Sequence, residues 1–166
     1  ILASATLAQA FPNLVPQMES MGVTAAISAA QSQGLQWKVG DEANYKLSVG
    51  FLKGTARMFV REDAGTSLWV QDDIDLGFAG KQKIEIQFNK ADGQVLKLLV
   101  NGKEQQMPNS GDMEVIEMHE DTVTVPAGTF KAVYVKMKSK KDGAIQEAWV
   151  NPKEIPITGN IKTNGD

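Results

Sequence analysis

The sequence predicts an α+β protein: a curved antiparallel sheet, a half-barrel-like meander, with one N-terminal helix packed on its concave face. Three observations predict it. Apolar residues fall at helical spacing before Gly34. After Gly34 the apolar period drops to two. The alternating runs are then joined by short turn dipeptides that leave little room for crossover helices.

The helix is read over 14–33. Leu14, Met18, Met21, Ala25 and Ala29 share one face, Asn13 serves as N-cap, Pro16 is tolerated in the first turn, and Gly34 supplies a left-handed stop. Its contact face is mostly alanine and methionine, which lets it lie close on a sheet and adapt to it.

The strands follow. Tyr45, Leu47, Val49 and Phe51 alternate with Lys46, Ser48 and Gly50, and Ala56, Met58 and Val60 with Arg57 and Arg61, with Phe59 breaking the polar side. Leu68 and Val70 continue the pattern. Ile84, Ile86 and Phe88 alternate without error against Lys83, Glu85, Gln87 and Asn89. Such alternation marks strands with one buried and one wet face. Asp92-Gly93, Asn101-Gly102 and Asp142-Gly143 stand between strand-like arms and favour tight hairpins, and Ala64-Gly65 reads as a further turn. In Val125-Pro126-Ala127-Gly128 the proline presets φ and the glycine suits the last position of a type I turn. Beyond it, Val133, Val135 and Met137 take one parity and Phe130, Ala132 and Tyr134 the other. Either both faces are covered there, or a bulge shifts the register around Ala132. The expected total is about eight to ten strands, and a meander that wide tends to curl.

Bulk properties narrow the function. A chain of 166 residues supports one domain with a core that needs no staples. The net charge of -3 gives no long-range attraction for nucleic acid or anionic membrane, although a local patch can still exist. No apolar run approaches the roughly 18 residues of a transmembrane helix. There is no cysteine, which excludes disulfides, thiolate metal sites and cysteine nucleophiles. Ala8 and Ala10 stand at A-x-A spacing before Phe11, like the end of a secretory signal peptide. Residues 1–10 are therefore read as a signal remnant, 11–166 as one domain with its sheet over 35–166, and the location as periplasmic or otherwise exported.

Chemistry is sparse. His119, the single histidine, lies beside Glu120 and Asp121 without a nucleophile motif and reads as an exposed turn residue. Asp72, Asp73 and Asp75 partly match a calcium loop but lack its third oxygen ligand and its glutamate, so they read as solvated acids, with the strand ending or bulging at Asp72. Lys136, Lys138, Lys140 and Lys141 form a small basic patch that blunts a strand edge. Trp37, Trp69 and Trp149 read as core or rim packing. The expectation is a non-enzyme without catalytic residue, cofactor or metal. The predicted apolar lining is Met18, Met21, Leu47, Val49, Met58, Val60, Ile84, Ile86 and Phe88. Seven methionines suit an adaptable pocket and equally a dry core.

The run Val125-Pro126-Ala127-Gly128-Thr129-Phe130, then Glu147-Ala148-Trp149-Val150-Asn151-Pro152 and Ile155-Pro156-Ile157, resembles the C-terminal half of bacterial exported proteins and lipoproteins of uncharacterised function. Their sheets resemble the open half-barrels of the lipoprotein carriers LolA and LolB. The resemblance covers 122–157 and implies a cell-envelope protein holding a lipid or acyl ligand between sheet and helix. The other expectation is a structural or interaction domain of the envelope, with a filled core and a protein partner.

Overall fold

The computed structural model describes residues 34–49, 51–106 and 113–165. The helix expected over 14–33, with Met18 and Met21, lies outside them, as does the stretch 1–10. Among the described residues the chain forms ten strands and a single helical turn, a 3-10 turn at Gly77–Ala79. They are β1 (Glu42–Val49), β2 (Leu52–Asp63), β3 (Ser67–Asp75), β4 (Lys81–Asn89), β5 (Val95–Val100), β6 (Lys103–Glu104), β7 (Met113–Val125), β8 (Gly128–Ser139), β9 (Ile145–Val150) and β10 (Asn160–Gly165).

This overturns the α+β half-barrel. Every pairing is antiparallel, as expected, but the strands divide into two sheets, β1-β2-β3-β4-β5-β6 and β10-β9-β8-β7, neither of them strongly curled. The fold of the described residues is all β. Alternation fixes the face a side chain takes, not the strand that lies beside it. The break falls between Glu104 of β6 and Met113 of β7, a longer connection than the two-residue joint that a continuing meander would use. After it, β7 pairs with β8 from Met113 to Val125.

The first sheet carries the main core in cross-strand rows. Val60, Val70, Ile86 and Leu98 face one another across four strands, and Leu68 opposes Phe88. Leu35, Leu76 and Ile157 join these residues, and Trp37 meets Phe88 edge-on with ring centroids 5.3 Å apart. Ile157 comes from the segment between β9 and β10, so the C-terminal part of the chain helps close the core of the first sheet.

In the second sheet the Pro126-Ala127 joint is a two-residue hairpin loop, with Val125 opposite Gly128. Gly128 has φ +143°, which a side chain resists. The pairing of β8 is uninterrupted at Ala132; the bulge lies on β7, between Val115 and Glu117. Ala132 and Tyr134 are buried on one face and Met137 on the other, so both faces are covered in part.

Candidate functional site

Six of the nine residues predicted to line a pocket come together on the inner face of the first sheet. Val60, Ile84, Ile86 and Phe88 are buried there, with Leu47 and Met58 packed against them. Val49 lies at the end of β1, in register with Leu52, and its side chain is outside the described residues, like Met18 and Met21.

Two polar residues interrupt this apolar face. One row reads Ala43, Met58, Asp72, Ile84, Val100, and the next reads Tyr45, Ala56, Ile74, Gln82. Asp72 and Gln82 thus sit on adjacent strands as diagonal neighbours of the same face, a relation that spans roughly 7–8 Å between backbones. They are only 4% and 3% exposed. Among the described residues, Asp72 Oδ1 and both amide atoms of Gln82 are buried without a hydrogen-bond partner. On the same face Tyr45 Oη and Thr158 Oγ1 share a hydrogen bond of 3.3 Å. Burial, reinforced by the neighbouring Asp73 carboxylate, pushes the Asp72 carboxyl up to about 7. Burial also raises the Tyr45 phenol, with a further push from Asp72 that the Thr158 bond opposes.

Asp72 is therefore not the solvated end of a strand. β3 runs on to Asp75, and Asp72 keeps the inward parity of Leu68 and Val70. A strand end or bulge at Asp72 is the expectation from sequence because an unpaired buried carboxylate is costly. The parity itself was the signal that could have found it. Gln82, Tyr45 and Thr158 carried none beyond their place in an alternating run or a loop.

The outer face of the first sheet shows what a satisfied acid looks like. Glu85 is also buried, yet Arg61 and Lys83 both pair with it. Burial pushes its carboxyl up, and the two cations together outweigh that and hold it below the usual range. Among the described residues nothing comparable serves Asp72.

The second sheet gathers the histidine and two aromatics into one row. His119, Tyr134, Trp149 and Lys162 lie side by side across β7, β8, β9 and β10. The rings of His119 and Tyr134 stack at 4.8 Å, those of Tyr134 and Trp149 lie 5.0 Å apart, and Lys162 sits 4.8 Å over the Trp149 ring. His119 is thus mid-strand rather than in a turn. Its neighbours are occupied with one another: Trp149 Nε1 donates to Asp121 at 2.7 Å and Tyr134 Oη to Glu147 at 2.8 Å. The row reads as a self-satisfied ladder holding four strands in register. Of the basic patch, Lys136 lies 3.8 Å from Glu147.

Comparison with family models, curated proteins and solved structures returns no match.

Proposed function

We propose that the protein is a non-enzymatic envelope binding module that holds a lipid or other apolar ligand against the inner face of the first sheet. The observation that carries this reading is the Asp72–Gln82 pair. An unsatisfied buried polar group costs about 1–3 kcal/mol, and native cores seldom keep one. Three such atoms stand together on an otherwise apolar face. The amide of Gln82 offers one donor side and one acceptor side, the complement of a carboxylic acid or an amide. Asp72 accepts a further N–H or O–H. The ligand class that matches is a single-chain amphiphile whose head carries a carboxyl or amide group. Its apolar body would replace contacts along the Met58, Ile84 and Val100 row. The A-x-A spacing of Ala8 and Ala10 supports an exported setting.

Thermal melts with oleate test it. Saturable stabilisation by about RT ln(1 + [L]/Kd) is expected, roughly 2.7 kcal/mol at a hundred times Kd. Gln82→Leu should keep the fold and lose most of that gain. A melting temperature unmoved by oleate or by an N-acyl amide sinks the reading.

A second reading, a protein-interaction domain of the envelope, is favoured by β7. It has a neighbour on one side only among the described residues. Val115, Ile116 and Met118 are exposed along it, with Met118 68% exposed. Glu114, Glu117, Glu120 and Asp121 make the same strand acidic. A cationic partner strand would suit that edge. Peptide-binding titrations against β7 charge-reversal variants separate this reading from the first.

A further inference from the structure

We infer that the turn end of the first sheet is a lipid-bilayer docking surface, built from Phe51, Phe78 and the lysines around them. The two phenylalanines are the most exposed large apolar side chains described, at 83% and 86%. Phe51 stands in the joint between β1 and β2, and Phe78 in the 3-10 turn between β3 and β4. These joints leave the sheet at the same end, because β2 and β3 are antiparallel neighbours with Thr55 opposite Asp75. The approach is tight: a Cβ on Gly54 would come within 2.3 Å of the Asp75 carbonyl oxygen and 2.8 Å of the Leu76 side chain.

These phenylalanines are not core residues left over. The core at this end is filled by Leu52 and Leu76, both buried. Each joint thus turns one apolar side chain inward and presents another outward. The Phe78 turn is also held firmly. Asp75 Oδ1 accepts from Gly77 N at 2.9 Å, Gly80 N donates to the Gly77 carbonyl at 3.1 Å, and Leu76 N donates to the Gly80 carbonyl at 2.9 Å.

Charge selects the occupant. Lys53, Lys81 and Lys103 stand at this end of the sheet, Lys103 just past the Asn101-Gly102 turn. Asp75 pairs with Lys81 at 2.9 Å and Glu104 with Lys97 at 3.2 Å, which leaves Lys53 and Lys103 to outweigh Asp73 at this end. The end is therefore locally cationic on a chain whose net charge is -3. Two projecting aromatic rings with lysines at the same end of the sheet match a bilayer interface with anionic headgroups, where the rings enter the acyl boundary and the ammonium groups meet phosphate. A second copy of the chain would set lysines against lysines.

The test is co-sedimentation with vesicles of phosphatidylglycerol and phosphatidylethanolamine. Phe51→Ser with Phe78→Ser should weaken binding by about a hundredfold, on the order of tenfold per ring. Both sites are exposed, so the variant should melt like the parent. Lys53→Glu with Lys103→Glu should weaken binding to these vesicles and leave binding to phosphatidylcholine vesicles unchanged. Phe78→Trp adds a probe whose emission should be quenched by brominated acyl chains. Equal sedimentation of the double serine variant and the parent overturns the inference. So does an unquenched Phe78→Trp signal, or a dimer lost in the serine variant while vesicle binding persists. The inference is independent of the ligand at Asp72 and Gln82: the serine variant should keep any stabilisation by oleate, so the two readings fail separately.

Discussion

Replacing Asp72 with asparagine tests the buried polar pair in the free protein. Asparagine keeps the shape and removes the charge. The folded Asp72 carboxyl titrates near 7, against 3.8 for the ordinary group. Below the lower value the group is protonated in both folded and unfolded chains, and it contributes no pH dependence. Between the two values the folded chain holds a proton that the unfolded chain has released, so stability falls as pH rises. Above about 7 the folded chain must carry a buried carboxylate. At about 1.4 kcal/mol per pKa unit, the full penalty is about 4 kcal/mol, a large share of the stability of a domain this size. Urea unfolding from pH 4 to pH 9 reads it out. The difference in stability between Asp72→Asn and the parent should be near zero at pH 4. It should grow in favour of the variant through pH 5 and 6 and level off above about pH 7. The carboxylates held low by their partners, such as Glu85 between Lys83 and Arg61, slope the other way. They do so equally in both proteins and cancel in the difference. Parallel curves would refute the reasoning, because they would mean that Asp72 has found a cation or water in solution.

Three further outcomes follow from the geometry. Gly128→Val should lower stability by about 1 kcal/mol or more in thermal melts, through backbone strain at φ +143° rather than a clash, since the nearest atom to an added Cβ is 3.7 Å away on Phe130; an unchanged melting temperature would remove the glycine's role in the hairpin. Gly54→Ala should cost about 1–3 kcal/mol by forcing β2 off the end of β3, and amide exchange should show the loss concentrated at Asp75 and Leu76. His119→Ala should leave oleate stabilisation and vesicle binding untouched, because the ring stacks on Tyr134 in the second sheet and touches neither surface; loss of either activity with the fold intact would bring the histidine back as a functional group.

Strand existence was legible in the sequence wherever one face is wet. Ile84, Ile86 and Phe88 alternate cleanly because β4 has a buried inner face and a polar outer one, and the structure keeps that parity. The hairpin at Pro126-Ala127 was legible for a similarly local reason, since proline fixes φ and glycine tolerates a positive one without reference to the rest of the chain. The division into two sheets was not. A β7 that pairs only with β8 has the same alternation as one that also pairs with β6. The continuation of β3 through Asp72 was hidden by a sound rule applied to an exception: buried carboxylates are rare, so a carboxylate at an inward position argues for a strand end. Exceptions of that kind concentrate where a fold gives up stability for a task. The misreading therefore falls on the residue that carries the proposed function.

The two proposed surfaces share one end of the first sheet. Gln82 is the second residue of β4, four positions after Phe78 in the chain, and it lies in the row of Ile74, two residues before Leu76. Asp72 lies one inward-facing row further from the tips. At about 3.3 Å of strand per residue, the polar pair stands within roughly 15 Å of the projecting phenylalanines, about half the thickness of a bilayer's hydrocarbon core. Leu52 and Leu76 are buried at that same end of the sheet. A surface that seats phenylalanine in the acyl boundary would thus present the end of the sheet nearest its buried polar pair to the lipid. An amphiphile leaving that bilayer would meet apolar leucine side chains first and the amide of Gln82 next. That order suits entry with the tail still in lipid and the head drawn inward to the groups that lack partners. At the Phe88 end, by contrast, Trp37 closes the core edge-on against Phe88.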